Sequence, residues 1–392
     1  MKSGPASSSA PVYLDYAATT PVDPRVAAAM SECLTRDGVF GNPASTTHGF
    51  GFAAARRVEQ AREQVARLIG AQPAEVYFTS GATEANNLAI LGVARANADR
   101  GRHIVTARTE HRSVLDPAGQ LAREGFRVTY LAPDRNGLIS PLALRAALRS
   151  DTQLVSIMHA NNETGVVQDL AALAEECTRA AVPLHTDAAQ SAGKIEFDVA
   201  RTPVAFAALS GHKVYGPKGI GALYIREAMR PRAAPIVFGG GHERQLRSGT
   251  LPTHQIVGFG AAAELVARDR PAEELRCRAL RDDLWRALEP IGSVHLNGQQ
   301  SPRLPHLLNV SFEGVEGESL VTGLTEIAVS TGSACSSAGR EASYVLRSLG
   351  HSTQLAQGSL RISIGRYSTA QDVELAARVI RREVERLRAI AP

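Results

Sequence analysis

The stretch Val204-Ala205-Phe206-Ala207-Ala208-Leu209-Ser210-Gly211-His212-Lys213 is an apolar run that ends in polar residues, and the glycine-studded Gly216-Pro217-Lys218-Gly219-Ile220-Gly221 follows it. A short apolar run bounded by turn residues reads as a buried strand, so Lys213 lies just past a strand end. In an open α/β sheet, ligands bind beyond the carboxyl ends of the strands. That makes Lys213 the candidate nucleophile. An amine condenses with a carbonyl only when neutral, and partial desolvation beside another cation is one route to that state. A lysine in a loop is ordinarily a solvated charge; its neighbours single this one out.

Working outward, apolar runs at 76–79, 103–107, 127–131, 154–158, 182–186, 205–209 and 222–225 alternate with helical patterns such as 52–69 and 169–181. Such alternation predicts an α/β fold with a mainly parallel sheet covered by helices on both faces. A tight turn at Gly216-Pro217 leaves antiparallel insertion of the 219–225 run open. From about residue 266 the pattern changes to a charged helix at 271–288, short strands at 294–296 and 307–312, and a last helix at 370–390, which reads as a smaller α+β domain.

The run 182–187 places Asp187 at another strand end. Pyridoxal phosphate needs such a pair, a lysine for its aldehyde and an acid for its pyridinium nitrogen; alone, Asp187 reads equally as a turn or cap residue. A strand at 75–79 leads into Ser80-Gly81-Ala82-Thr83-Glu84, a helix start whose free N–H groups and dipole suit a phosphate. Plain N-capping explains the same residues. His111 follows the 103–107 strand and could lie over a planar ring, or simply cap a helix.

Composition narrows the class. In 392 residues, 44% are hydrophobic and 21% charged, which fits a globular chain with ample core and excludes a disordered or fibrous one. No run approaches the ~18 apolar residues of a membrane helix. Residues 1–10 are rich in Ser, Ala and Pro with no apolar core, so they read as a flexible tail rather than an export signal. A net charge of +4 and interleaved acids at 273–286 and 378–388 argue against a nucleic-acid surface. The four cysteines, Cys33, Cys177, Cys277 and Cys335, lack metal spacing, and without an export signal free thiols in a reducing cytoplasm are expected. Three fall in helical patterns and read as core residues. Cys335 lies in Ser330-Thr331-Gly332-Ser333-Ala334-Cys335-Ser336-Ser337, small polar residues that read as an exposed loop, where a thiol could act as a nucleophile.

Taken together, residues 13–20, 41–45, 79–87, 109–111, 159–168, 210–223, 239–255 and 330–337 resemble the cysteine desulfurases of the housekeeping iron-sulfur-cluster type, in the class V branch of fold-type I pyridoxal phosphate enzymes. The resemblance implies a tail at 1–12, a segment 13–25 packing with the small domain, a large cofactor domain at 26–264 with a seven-stranded sheet, and a small domain at 265–392 carrying the cysteine loop. It implies that Lys213, Cys335 and His111 are catalytic, with His111 stacked on the cofactor. Asp187 would face the ring nitrogen and Gln190 the phenolic oxygen, with Thr83, Ser210 and His212 on the phosphate and Ala82 beside them. Asn162 and Arg361 would hold the substrate carboxylate, Asn162 also touching the cofactor. Thr250 would reach the phosphate of the neighbouring subunit in a homodimer, and no metal is implied.

The implied reaction turns L-cysteine into L-alanine. Lys213 moves the Cα proton, and sulfur passes to Cys335 as a persulfide, then to acceptor proteins for iron-sulfur cluster assembly and tRNA thiolation. A cytoplasmic enzyme touching neither nucleic acid nor membrane is expected. Enzymes of this type commonly continue past the last helix with a scaffold-docking tail, whereas this sequence ends at Pro392, so scaffold binding is expected less firmly than catalysis. A selenocysteine lyase or a class V aminotransferase would share Lys213 and Asp187, the latter having no use for Cys335, and a sulfur-carrier scaffold without catalysis is the alternative of another class.

Overall fold

The computed structural model describes residues 10–331 and 342–390. Seven strands form the main sheet: β2 (Val76–Thr79), β3 (His103–Ala107), β4 (Arg127–Leu131), β5 (Thr152–Ser156), β6 (Leu184–Asp187), β7 (Phe206–Ser210) and β8 (Gly221–Ile225), in the order β2-β8-β7-β6-β5-β3-β4. The β3, β4, β5, β6 and β7 strands run parallel, and β8 is antiparallel to both β7 and β2. All strands but β4 are buried throughout, as expected for near-continuous apolar runs covered by helices on both faces. Consequently Thr79, Asp187 and Ser210 end their strands along one edge.

A second sheet, β9 (Val294–Leu296), β10 (Leu307–Phe312) and β12 (Ser359–Ser363), is antiparallel in the order β12-β10-β9. The helix Ala370–Ile390 lays Val373, Ala376, Ile380, Val384 and Leu387 on its cluster, a spacing of three to four that makes one apolar stripe. The N-terminal strand β1 (Val12–Tyr13) pairs with β11 (Ile327–Ala328), and Leu14 joins the small-sheet cluster while Tyr16 joins the large one.

The 36-residue helix Thr253–Leu288 links the two cores. Ile256, Phe259, Ala263 and Val266 pack in the large cluster, and Cys277, Leu280, Leu284 and Leu288 in the small one. The pattern predicted a helix starting at Pro271; instead the proline sits inside it, because the apolar spacing upstream carries the helix across the missing N–H. Two residues on, Glu273 accepts from the Tyr215 hydroxyl at 2.8 Å and from Arg366 Nε at 3.0 Å. Strand bounds move by up to two residues from the 154–158 and 182–186 expectations. Cys33 is a second correction: it is buried in the turn after the helix Pro24–Ser31, not within a helix.

Candidate active site

A cavity of about 520 Å³ opens at the carboxyl edge of the main sheet, within the usual range of small-ligand sites. Ten of the twelve expected site residues line it: Ala82, Thr83, His111, Asn162, Asp187, Gln190, Ser210, His212, Lys213 and Arg361. Thr250 is exposed and does not line it, and Cys335 lies outside the described residues.

Lys213 closes the short turn Gly211–Lys213 after β7. Its amine donates to the carbonyls of Ala17 at 2.5 Å and Ala18 at 2.8 Å. The N-terminal segment is laced to this turn again by Thr20, whose N–H and hydroxyl both donate to the His212 carbonyl. Burial, with the Lys213 and Lys218 charges adding to it, pushes the His212 pKa down to about 4, so its ring is neutral near pH 7.

Asp187 ends β6, and both its oxygens are engaged. Oδ1 accepts from the Ala189 N–H at 2.9 Å and Oδ2 from Asn86 Nδ2 at 2.7 Å. The other Asn86 proton goes to Ser113 Oγ at 2.8 Å, which leaves the Ser113 hydroxyl to donate to His111 Nδ1 at 2.8 Å. The Ser113 N–H also donates to Nδ1 at 3.1 Å as His111 caps the helix Arg112–Arg123. A neutral His111 therefore carries its proton on Nε2. Asn86 and Ser113 were not singled out in the sequence, although Asn86 sits one turn into the helix that Ser80-Gly81 opens.

That helix, Ala82–Ala96, begins at Gly81 with φ +154° and no side-chain cap, so the N–H groups of its first turn point at no capping oxygen. Gly221 is required beside it: a Cβ there would lie 2.6 Å from the Gly81 Cα and 2.4 Å from the Leu209 carbonyl oxygen. The bare backbone draws the helix start onto the strand end next to the lysine turn.

The opposite wall holds Asn162 and Arg361. Arg361, on β12, is 1% exposed; its Nη1 donates to the Asn162 carbonyl at 3.0 Å and its Nη2 to Asp15 Oδ1 at 2.8 Å. Arg361 Nε and Asn162 Oδ1 are buried without a hydrogen-bond partner among the described residues. Behind them, Glu163 accepts from the Ser343 hydroxyl, and burial raises its pKa to about 7 against the opposing effects of Ser343, Arg361 and His111. Glu110, buried deeper with its pKa raised well above the usual range by burial, accepts from the Met158 N–H at 2.8 Å.

The cavity fits pyridoxal phosphate. It offers an uncapped helix start with the Thr83 and Ser210 hydroxyls and the His212 ring for a phosphate, a fixed carboxylate for a ring nitrogen, and an amine for an aldehyde. Among the described residues no helix is long and apolar enough to cross a membrane, and no group of three or more His, Cys, Asp or Glu is placed to hold a metal.

The sequence model of the family described as Aminotransferase class-V matches residues 12–375. The chain is 54% identical over 382 residues to the cysteine desulfurase IscS of Pectobacterium atrosepticum, covering 97% of this chain and 95% of that one. It is 55% identical, with the same coverage, to the enzyme of that name from Aeromonas hydrophila. A solved NifS-like protein superposes with a TM-score of 0.88 at 36% identity, covering 96% of this chain and 99% of the other. With that similarity spanning both sheets and the cavity between them, the chain belongs to the class V aminotransferase family, among its pyridoxal-phosphate-dependent cysteine desulfurases.

Proposed function

We propose that the chain converts L-cysteine to L-alanine and passes the sulfur to Cys335 as a persulfide, from which acceptor proteins take it. The observation that carries this reading is the meeting in one cavity of an amine, a carboxylate and an uncapped helix start, from Lys213, Asp187 and Ala82-Thr83. When bound, pyridoxal phosphate supplies an aldehyde that takes up an amine and a ring that accepts the electron pair left at Cα.

The protein's own groups divide the remaining work. The first-turn N–H groups at Ala82 and Thr83, the Thr83 and Ser210 hydroxyls and the His212 ring hold the phosphate. Asp187, its oxygens already fixed by Asn86 and Ala189, stabilises a protonated ring nitrogen. Gln190, whose Nε2 donates to the Ala17 carbonyl at 2.9 Å, would give its other amide proton to the phenolic oxygen. The Arg361 guanidinium takes the substrate carboxylate through Nε, the donor its protein partners leave open, with Asn162 beside it. The Lys213 amine leaves the Ala17 and Ala18 carbonyls and takes the Cα proton. His111, with its proton on Nε2, passes a proton to or from a thiol. The Cys335 thiolate then attacks the substrate sulfur: the S–S bond forms, the Cβ–S pair stays with carbon, Cβ takes up a proton, and Lys213 returns the proton to Cα as alanine leaves.

The working unit in this reading is a cytoplasmic homodimer in which Thr250 serves the neighbour's phosphate. Phe238, 81% exposed beside the loop that carries Thr250, and Phe50, 60% exposed and in ring contact with Phe40 at 5.3 Å, support a face covered by a second copy. Iron-sulfur scaffolds and tRNA-thiolation carriers are the proposed acceptors. Incubation with L-cysteine followed by mass spectrometry tests the core claim: added sulfur maps to Cys335, and Lys213→Ala abolishes it. Sulfur accumulating elsewhere, or transfer surviving in Lys213→Ala, sinks the reading.

A further inference from the structure

Arg361 has its partners on the two terminal nitrogens of its guanidinium. Nη1 is held by the Asn162 carbonyl, and Nη2 by Asp15 Oδ1 at 2.8 Å and Ser330 Oγ at 3.3 Å, while Nε is unpartnered among the described residues. The second Asp15 oxygen, Oδ2, accepts from the Ser330 hydroxyl at 2.6 Å. Arg361 lines the cavity; Asp15 and Ser330 do not. A buried guanidinium is costly without a carboxylate, and a fork with five donors can present a steady edge only if fixed acceptors hold the rest.

Asp15 also opens the turn that holds the lysine. Its backbone carbonyl accepts from the Ala18 N–H and the Tyr13 hydroxyl, both at 3.0 Å, and the carbonyls of Ala17 and Ala18 take the Lys213 amine. The Ala17 N–H is tied in turn to Ser363 Oγ at 2.8 Å, on the same strand as Arg361. One four-residue stretch thus reaches the arginine through Asp15 and the lysine through Ala17 and Ala18.

We propose that Asp15 is a positioning residue for the substrate carboxylate: its side chain orients the Arg361 fork, and the turn it starts sets the spacing between that fork and the Lys213 amine. This rests on Arg361 being the carboxylate site, as read above. The Asp15 carboxylate, which does not line the cavity, holds Nη2 and leaves Nε as the donor open to a substrate oxygen.

The test uses the cofactor-loaded enzyme. The KM and kcat for L-cysteine are measured, with dissociation constants for L-alanine and for cysteamine, which lacks the carboxylate, read from the cofactor's absorbance. Loss of a hydrogen bond to a charged group predicts that Asp15→Ala raises KM and the L-alanine constant about tenfold, while kcat and the cysteamine constant stay within about twofold. Asp15→Asn keeps an oxygen for Nη2 and raises the same two constants only about threefold; if Asp15→Ala does not fold, this variant decides alone. Parental constants, equal weakening of cysteamine, or a fall in kcat at parental KM overturns the proposal. Arg361→Ala separates the two claims: if it weakens L-cysteine binding while the Asp15 variants do not, only the Asp15 role fails, and if it leaves KM unchanged, both fail.

Discussion

On the sheet wall of the cavity, Asp187 has both oxygens engaged by Asn86 and the Ala189 backbone; on the facing wall, Asn162 Oδ1 and Arg361 Nε are buried with no partner among the described residues. Buried polar atoms are nearly always satisfied; of the described residues that line the cavity, only Asn162 and Arg361 carry such unpartnered atoms, and that contrast separates two tasks. The sheet wall fixes the electrostatics that the chemistry needs and would show itself in kcat. The facing wall keeps bonding capacity for a substrate and would show itself in KM.

The sharpest way to break that division is Asp187→Asn, which keeps the shape and removes the charge. Loss of a preorganised electrostatic partner predicts a fall in kcat on the order of 10²-fold with KM little changed, measured as alanine released from L-cysteine; a variant that shifts KM instead would erase the distinction between the walls. Asn86→Ala sharpens it more gently. It leaves Asp187 Oδ2 without its donor and frees Ser113 from its fixed orientation under His111, so kcat falls about tenfold, the scale of one hydrogen bond to a charged group. A third effect is on stability. Burial raises the Glu163 pKa to about 7 from 4.5, so between those values the folded chain binds more protons there than the unfolded one, and this contribution to stability is lost as pH rises from about 4.5 through about 7. Glu163→Gln removes the slope. Its melting temperature should fall less between pH 5 and pH 8 than the parent's, and equal slopes would show that Glu163 is ionised throughout.

Much of the sheet wall was legible because its residues end apolar runs. Lys213 follows β7 by three residues and Asp187 is the last residue of β6, and strand ends are where an open α/β sheet meets its ligand. The facing wall was legible only by resemblance, since Arg361 reads as an ordinary strand arginine until the fold brings it 2.8 Å from Asp15, 346 residues away. Asn86 and Ser113 escaped for a similar reason: their meaning lies in the hydrogen bonds that join β6 to two helix starts, not in local pattern. At residues 253–270 the reading failed through a rule applied too strictly. Proline favours the first turn of a helix, but the apolar spacing on both sides of Pro271 outweighs the single bond it removes.

That helix has a mechanical consequence. At 1.5 Å per residue it is a beam of about 54 Å, seated at one end under the lysine's sheet and at the other under the arginine's. Its proline is the natural place to bend, yet the carboxylate two residues further along is bolted to a tyrosine on one side and an arginine on the other, so the weak joint is splinted. A girder reinforced at its flaw ties the two jaws of the vise together.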